Sequence, residues 1–267
     1  MGEAALARFG ADYAQHRAAE GRDYSGEALA SLPYLKTGAF AEQWRIRART
    51  FDAFMRRVVR PLAAARGQPL RVLDLGAGNG WLSYRLALEG HSSVALDIRD
   101  DVVDGLGAVA PLMRRVPNQI QPIRASFEDV PLASTSVDIA VFNASLHYAL
   151  DLAAALGEAA RVVRPGGCIA ILDSPFYRRE QDGLAMVAEK KAQAGQRFGE
   201  RAESLLALPF IEFLTRERLA AASGTPGLTW RRRRVLYPLS YELRSLKARL
   251  RGKRTPSRFD LWTASRP

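Results

Sequence analysis

Four residues at alternate positions, Asp74, Gly76, Gly78 and Gly80, carry the first chemical signal in this sequence. Ahead of them Val72, Leu73 and Leu75 predict a short buried strand, and behind them Leu82, Leu86 and Leu88 predict a helix running to Gly90. Glycine in such a strand-turn-helix unit takes backbone angles that other residues avoid and lets a ligand approach the main chain. The helix that follows points its free N–H groups and the positive end of its dipole at whatever fills the turn. A dinucleotide-binding turn reads G-x-G-x-x-G, and the position its third glycine needs is held here by Trp81. The acid at the strand end, Asp74, is a poor neighbour for a pyrophosphate and suits a ligand that carries an ammonium group.

A second acid, Asp97, closes the next expected strand, residues 93–96. An acid at the tip of a second strand accepts hydrogen bonds from ribose hydroxyls, in dinucleotide enzymes and elsewhere. Asn143 and His147 follow a fourth strand over residues 137–142, at the edge where open parallel sheets bind ligands. His147 is a candidate general base with an ordinary pKa of about 6.5; packing or fixing the loop is the alternative. One cysteine, Cys168, allows no internal disulfide and no thiolate cluster, and with His16, His91 and His147 scattered no metal site is expected.

The elements that must position these residues alternate between strand and helix. A helical pattern over residues 39–65 carries Phe40, Trp44, Phe51, Phe54, Met55, Val58, Val59 and Leu62, with Pro61 as a kink or restart. Residues 1–38 are mixed. A helix is expected over 102–115, a third strand over 120–123, a helix over 151–163 and, after the turn Pro165-Gly166-Gly167, a fifth strand over 168–172. A charged helix follows over 178–198, and Thr215 is placed to cap another. Strands six and seven are expected within 229–236 and 259–264.

The acid-x-Gly-x-Gly-x-Gly stretch resembles motif I of the class I S-adenosylmethionine-dependent methyltransferases. Asp97, the segment 126–132 ending in Val130-Pro131-Leu132, and the run Arg161-Val162-Val163-Arg164-Pro165-Gly166-Gly167 fall in that family's order over residues 70–173. The resemblance is to the small-molecule branch that includes the ubiquinone and menaquinone biosynthesis enzymes. It implies a doubly wound, seven-stranded Rossmann-like α/β sheet, the last strand antiparallel, under an N-terminal helical cap. It implies S-adenosylmethionine as cofactor, with Asp74, Gly76, Ala77, Gly78 and Gly80 at its amino acid end, Asp97 and Ile98 at the ribose, and Asn143 beside the methyl. In the family an acid meets the adenine; aligned on Pro131 its place is held by Ser126, with Phe127 next, and Glu128 is a substitute. Trp44 and Arg45 are lid candidates. The implied division is a cap over 1–68 and a methyltransferase domain over 69–267, with a substrate-side insert at 175–225 and a basic segment at 227–267.

The chain has 267 residues, 48% hydrophobic and 25% charged, the profile of an ordinary globular protein. No apolar run approaches the ~20 residues of a membrane span, and no signal peptide is read at the start, which together suggest a cytoplasmic enzyme. From Gly227 onward twelve Lys and Arg face two acids, so +10 of the net +11 lies there. Within that segment Leu239, Leu243, Leu246 and Leu250 form a narrow helical stripe backed by cations. The stripe either packs on the sheet edge or lies on an anionic membrane. The expected activity is methyl transfer to a small-molecule or lipid-like acceptor. Two rivals stand beside it: an RNA-modifying or nucleic-acid-binding protein using Arg231-Arg232-Arg233-Arg234, against which no RNA-binding module is found, and a non-catalytic adenosyl-binding subunit.

Overall fold

The strand expected ahead of the glycine turn is the centre of a seven-stranded sheet. β1 (Arg71–Leu75) is buried from Val72 to Leu75 because helices cover both faces, so its apolar residues run on without alternation. It pairs in parallel with β2 (Ser92–Asp97) on one side and β4 (Val137–Asn143) on the other. β3 (Ile120–Arg124) lies outside β2, and β5 (Val163–Leu172) outside β4. β7 (Leu261–Ser265) runs antiparallel between β5 and β6 (Trp230–Arg233), giving the order β3-β2-β1-β4-β5-β7-β6. The order reverses between β1 and β4, where a doubly wound sheet opens a crevice at its carboxyl edge. This computed structural model describes residues 3–224 and 227–266, so the outermost residues of the chain and position 225 of the insert lie outside it.

Helices α1 (Glu3–Ala19), α2 (Gly26–Ser31), α3 (Ala41–Phe54) and α4 (Arg60–Arg66) precede β1. Between α3 and α4 the chain widens into a π turn, Met55–Val59, and Pro61 sits in the first turn of α4 where its missing N–H is tolerated. α5 (Trp81–Leu88) follows β1, α6 (Ala110–Met113) precedes β3, and α7 (Leu152–Val162) joins β4 to β5. One face of the sheet packs Val72, Ile139, Val141 and Leu172 against Trp44, Phe51, Phe54 and Leu82. The other packs Leu73, Leu75, Phe142 and Ile171 against Leu156, Ala159 and Leu219. After β5 come α8 (Glu180–Ala192), α9 (Ala194–Phe198), α10 (Ala202–Ala207) and α11 (Arg216–Ala222), the last capped by Thr215 Oγ1, which accepts from Arg218 N at 3.1 Å.

Three expectations need correction. Residues 3–31 hold two helices, although no apolar periodicity announced them. The helix expected over 102–115 is cut to a 3₁₀ turn, Leu106–Val109, followed by α6, because the chain doubles back tightly at Gly105, where a Cβ would lie 2.8 Å from Asp101 N. β5 starts at Val163, not Cys168: the Pro-Gly-Gly turn is a bulge within the strand, marked by the register shift against β4. The helix expected over 239–250 is found: α12 (Leu239–Glu242) and α13 (Arg244–Leu250) are nearly continuous, with Lys247 N donating to Leu243 O at 3.0 Å. Its leucine stripe does not pack on the sheet: Leu239, Leu246 and Leu250 are 71%, 53% and 78% exposed. Among the described residues no helix is long and apolar enough to cross a membrane.

Candidate active site

The three turn glycines all adopt left-handed backbone, with φ of 74° at Gly76, 52° at Gly78 and 72° at Gly80. Gly76 N and Ala77 N both donate to Leu96 O, at 2.8 and 3.0 Å, which ties the turn to β2. Gly78 N donates to Asp97 Oδ2 at 2.8 Å. A Cβ on Gly76 would come within 2.4 Å of Ser145 Cβ, and one on Gly80 within 2.7 Å of Val109 Cγ2. Gly76 and Gly80 therefore let neighbouring loops close in, while a Cβ on Gly78 would meet only Asp104 O, at 3.1 Å. Behind the turn Asp74 is fully buried, accepts from Ser83 Oγ at 2.9 Å, and has no partner for its second oxygen. Burial pushes its pKa up to about 7, opposed by the Ser83 bond and reinforced by Asp97.

In front of the turn lies a cleft of about 1070 Å³, its open mouth included. Its floor is the carboxyl edge of the sheet: Gly76, Ala77, Gly78 and Asn79 after β1, Asp97 and Ile98 after β2, Ser126 and Phe127 after β3, Asn143 and Ala144 after β4. Eight sequence-selected residues thus meet in one place. Asp74 and Gly80 lie behind the floor, and His147 is outside the lining. Trp44 of α3, a lid candidate, lines the roof; the rest of the roof was not legible in sequence: Phe9, Tyr13 and Arg17 from α1, Arg47 from α3, and Tyr148 and Phe210. Tyr13 meets Tyr148 edge-on at 5.9 Å, Phe9 meets Phe210 at 4.9 Å, and Arg17 Nε donates to Asp104 Oδ2 at 2.7 Å. Arg45, the lid candidate, instead pairs with Glu42 at the surface; Arg47, two residues on, turns inward.

Charges in the cleft are mostly spoken for. Asp97 accepts from Gly78 N and from Arg99 N, 2.9 Å away, yet burial still raises its pKa. Arg99 pairs with Asp101 at 2.7 Å, and Glu128 accepts from Leu150 N and Asp151 N. Glu128 is thereby committed to the loop after β4. Ser126 Oγ accepts from Glu128 N at 3.1 Å, and Phe127 packs edge-on against Phe142. Arg47, resting 4.9 Å from the Trp44 ring, has no carboxylate partner among the described residues. His147 is driven the other way: burial, with Lys190 and Arg47 nearby, pushes its pKa down to about 3, and Nδ1 has no partner. A base that weak gains little from the general-base role set out for it, because it holds a proton only in strong acid.

Residues 73–171 match the family model described as a methyltransferase domain. Residues 73–171 belong to the class I S-adenosylmethionine-dependent methyltransferases. An uncharacterized methyltransferase of Mycobacterium tuberculosis is 39% identical over 110 residues, 41% of this chain and 40% of that protein. The tRNA 5-carboxymethoxyuridine methyltransferase of Escherichia coli is 32% identical over 128 residues, 48% of this chain and 47% of that protein. The chain thus spans at most about half the length of these curated relatives. Among solved structures, the Burkholderia thailandensis 1,6-didemethyltoxoflavin-N1-methyltransferase superposes with a TM-score of 0.56 at 19% identity, over 98% of this chain and 88% of that one. The fold of the methyltransferase thus extends beyond the matched segment.

The glycine floor fits the family's cofactor. Gly78 presents bare backbone to the cleft, Asp97 lines it as an acceptor for hydroxyls, and Arg47 lines it with no carboxylate partner among the described residues.

Proposed function

We propose that this methyltransferase moves the methyl group of S-adenosylmethionine to a small or lipid-like acceptor. One observation carries the reading: an acceptor carboxylate, Asp97, and a cation without a carboxylate partner among the described residues, Arg47, line the same cleft as the glycine turn. Asp97 would hold the ribose hydroxyls, Ser126 and Phe127 the adenine, Gly76 to Gly78 the methionine backbone, and Arg47 its carboxylate. Asp74 would act from behind, fixing α5 through Ser83. The bound cofactor supplies a sulfonium-activated methyl group. The chain's own work is to hold the acceptor in line with that group, and closeness alone supplies ~7–11 kcal/mol. Aromatic rings of α1, Tyr148 and Phe210 exclude water above the cleft. In this reading residues 1–68 are the cap, 175–225 the acceptor-side insert, and Asn143 the side chain beside the methyl.

The test is calorimetry with S-adenosylhomocysteine, then cofactor consumption against quinol, phenol, sugar and lipid acceptors. Failure to bind S-adenosylhomocysteine removes the reading. Binding without turnover of any acceptor favours the non-catalytic subunit. A specific observation supports contact of the basic segment with an anionic lipid surface: Leu246 and Leu250 stand exposed among Lys247, Arg249, Arg251 and Lys253, with no acid paired to these cations among the described residues. Phosphate contacts on a nucleic acid need the cations but leave the leucines without a use. The arginine run offered for RNA is partly neutralised, Arg232 by Asp260 and Arg234 by Glu242.

A further inference from the structure

β4 and β5 run side by side with Asn143 opposite Leu172, and Ala144 N donates to Leu172 O at 2.8 Å. Both strands leave the sheet through a non-glycine residue in left-handed backbone: Ala144 at φ 56° and Asp173 at φ 51°. Such conformations persist where the surroundings hold them, and they gather at functional sites. The same corner collects unpartnered polar atoms. Of the eleven buried side-chain nitrogen and oxygen atoms without a hydrogen-bond partner among the described residues, five lie here. They are Asn143 Oδ1, His147 Nδ1, both carboxylate oxygens of Asp173 and Ser174 Oγ.

Asp173 is 6% exposed and has no ion pair among the described residues. Arg47 and Thr50 face it from α3, and Tyr237 and Tyr241 from the segment between β6 and α13. The Thr50 hydroxyl is engaged with Tyr237 OH at 2.9 Å. Burial pushes the Asp173 pKa up to about 6 against the pull of Arg47 and of the nearby Thr50 hydroxyl. Arg47 and Asn143 also line the cleft, so the corner borders it, with Asp173 itself just outside the lining. Three of its five orphan atoms are carboxylate or amide oxygens, which only accept while the carboxylate is ionised. A ligand that satisfies them brings O–H or N–H donors.

We propose that Asp173 binds the methyl acceptor through a hydroxyl or amine and takes its proton during transfer, a reading that rests on the proposed methyltransferase function. The bond formed is between the acceptor oxygen or nitrogen and the methyl carbon. The bond broken is carbon to sulfur, whose electron pair stays on sulfur. The acceptor's proton passes to a carboxylate oxygen of Asp173 and then to water.

The test is Asp173→Asn, which keeps the size of the side chain and suits the left-handed backbone, since asparagine tolerates that region better than other non-glycine residues. S-adenosylhomocysteine should bind wild type and variant within about twofold in calorimetry; a wild type that fails to bind it refutes the cofactor reading itself, separately from this one. Phenol, benzylamine and benzoate then serve as probes of the loaded protein by ligand-observed NMR. Wild type should bind phenol and benzylamine and bind benzoate at least about fivefold more weakly. Asp173→Asn should weaken the first two by about tenfold, the loss of one hydrogen bond to a charged group. Phenol binding to wild type should strengthen as pH rises through about 6, a dependence the variant lacks. Equal binding in the variant, benzoate bound as tightly as phenol, or no probe bound by wild type would each overturn the proposal.

Discussion

The amide of Gly78 donates to Asp97 Oδ2 at 2.8 Å, so the glycine turn and the acid at the tip of β2 hold each other in place before any ligand arrives. Two strands separated in sequence by α5 thus present one prearranged surface. Preorganisation of this kind reduces the ordering that binding must impose.

Asp97→Ala should lower cofactor affinity by one to two orders of magnitude, because it removes a charge-assisted hydrogen bond worth ~1.5–3 kcal/mol and frees Gly78 N. Calorimetry with S-adenosylhomocysteine measures this directly. A loss below threefold would assign the ribose to another residue.

Gly78→Val should abolish cofactor binding. It places a β-branched side chain at φ 52° in the cleft floor, with Asp104 O 3.1 Å from the new Cβ. The left-handed backbone adds a stability loss of about 1–2 kcal/mol, which denaturant melts would register. A variant that binds cofactor like wild type would show that the turn is structural only.

Arg17→Ala should loosen the roof. Asp104 then keeps only the Asn79 amide, at 2.9 Å, as a side-chain partner, and α1 loses its polar tie to the floor. Hydrogen exchange across α1 should speed up, and cofactor release should quicken by about tenfold, the scale of one charge-assisted bond. Unchanged protection of α1 would mean that Phe9 and Tyr13 hold the roof unaided.

Asp74 sets a pH dependence of stability. Its folded pKa, about 7, lies above the unfolded value near 3.9, so its contribution is fully present below about pH 4 and is lost as pH rises through about 7. Asp74→Asn should therefore match wild type near pH 4 and become the more stable of the two by pH 8. A stability difference that does not change with pH would place the carboxylate in contact with a charge not seen here.

Leu246→Asp with Leu250→Asp should leave stability within about 0.5 kcal/mol, as exposed substitutions do, and should abolish sedimentation with phosphatidylserine vesicles at low salt. Wild-type protein that does not sediment with such vesicles would end the membrane reading.

What the sequence made legible was local. Strand, turn and helix at 71–88 follow from apolar runs and glycine spacing, and the eight floor residues sit at strand ends that the same runs mark. Trp44 apart, the roof was hidden because its residues come from segments of unremarkable pattern whose inward face depends on a tertiary partner. Arg47 and Arg45 look alike in sequence; only the helix register turns one to the cleft and the other to Glu42. What the leucine stripe meets stays open in sequence for the opposite reason. Periodicity announces an apolar face but says nothing of what meets it.

The place of β7 has a consequence for how the chain is made. β5 and β6 meet only through Leu261–Ser265, the last strand described. During synthesis β5 therefore waits with an unpaired edge while some ninety further residues are translated. An unpaired, apolar strand edge is a template for wrong pairing. The growing chain is exposed to aggregation over that interval, and stalling or truncation just short of Leu261 would leave the sheet split at the point where it is closed last.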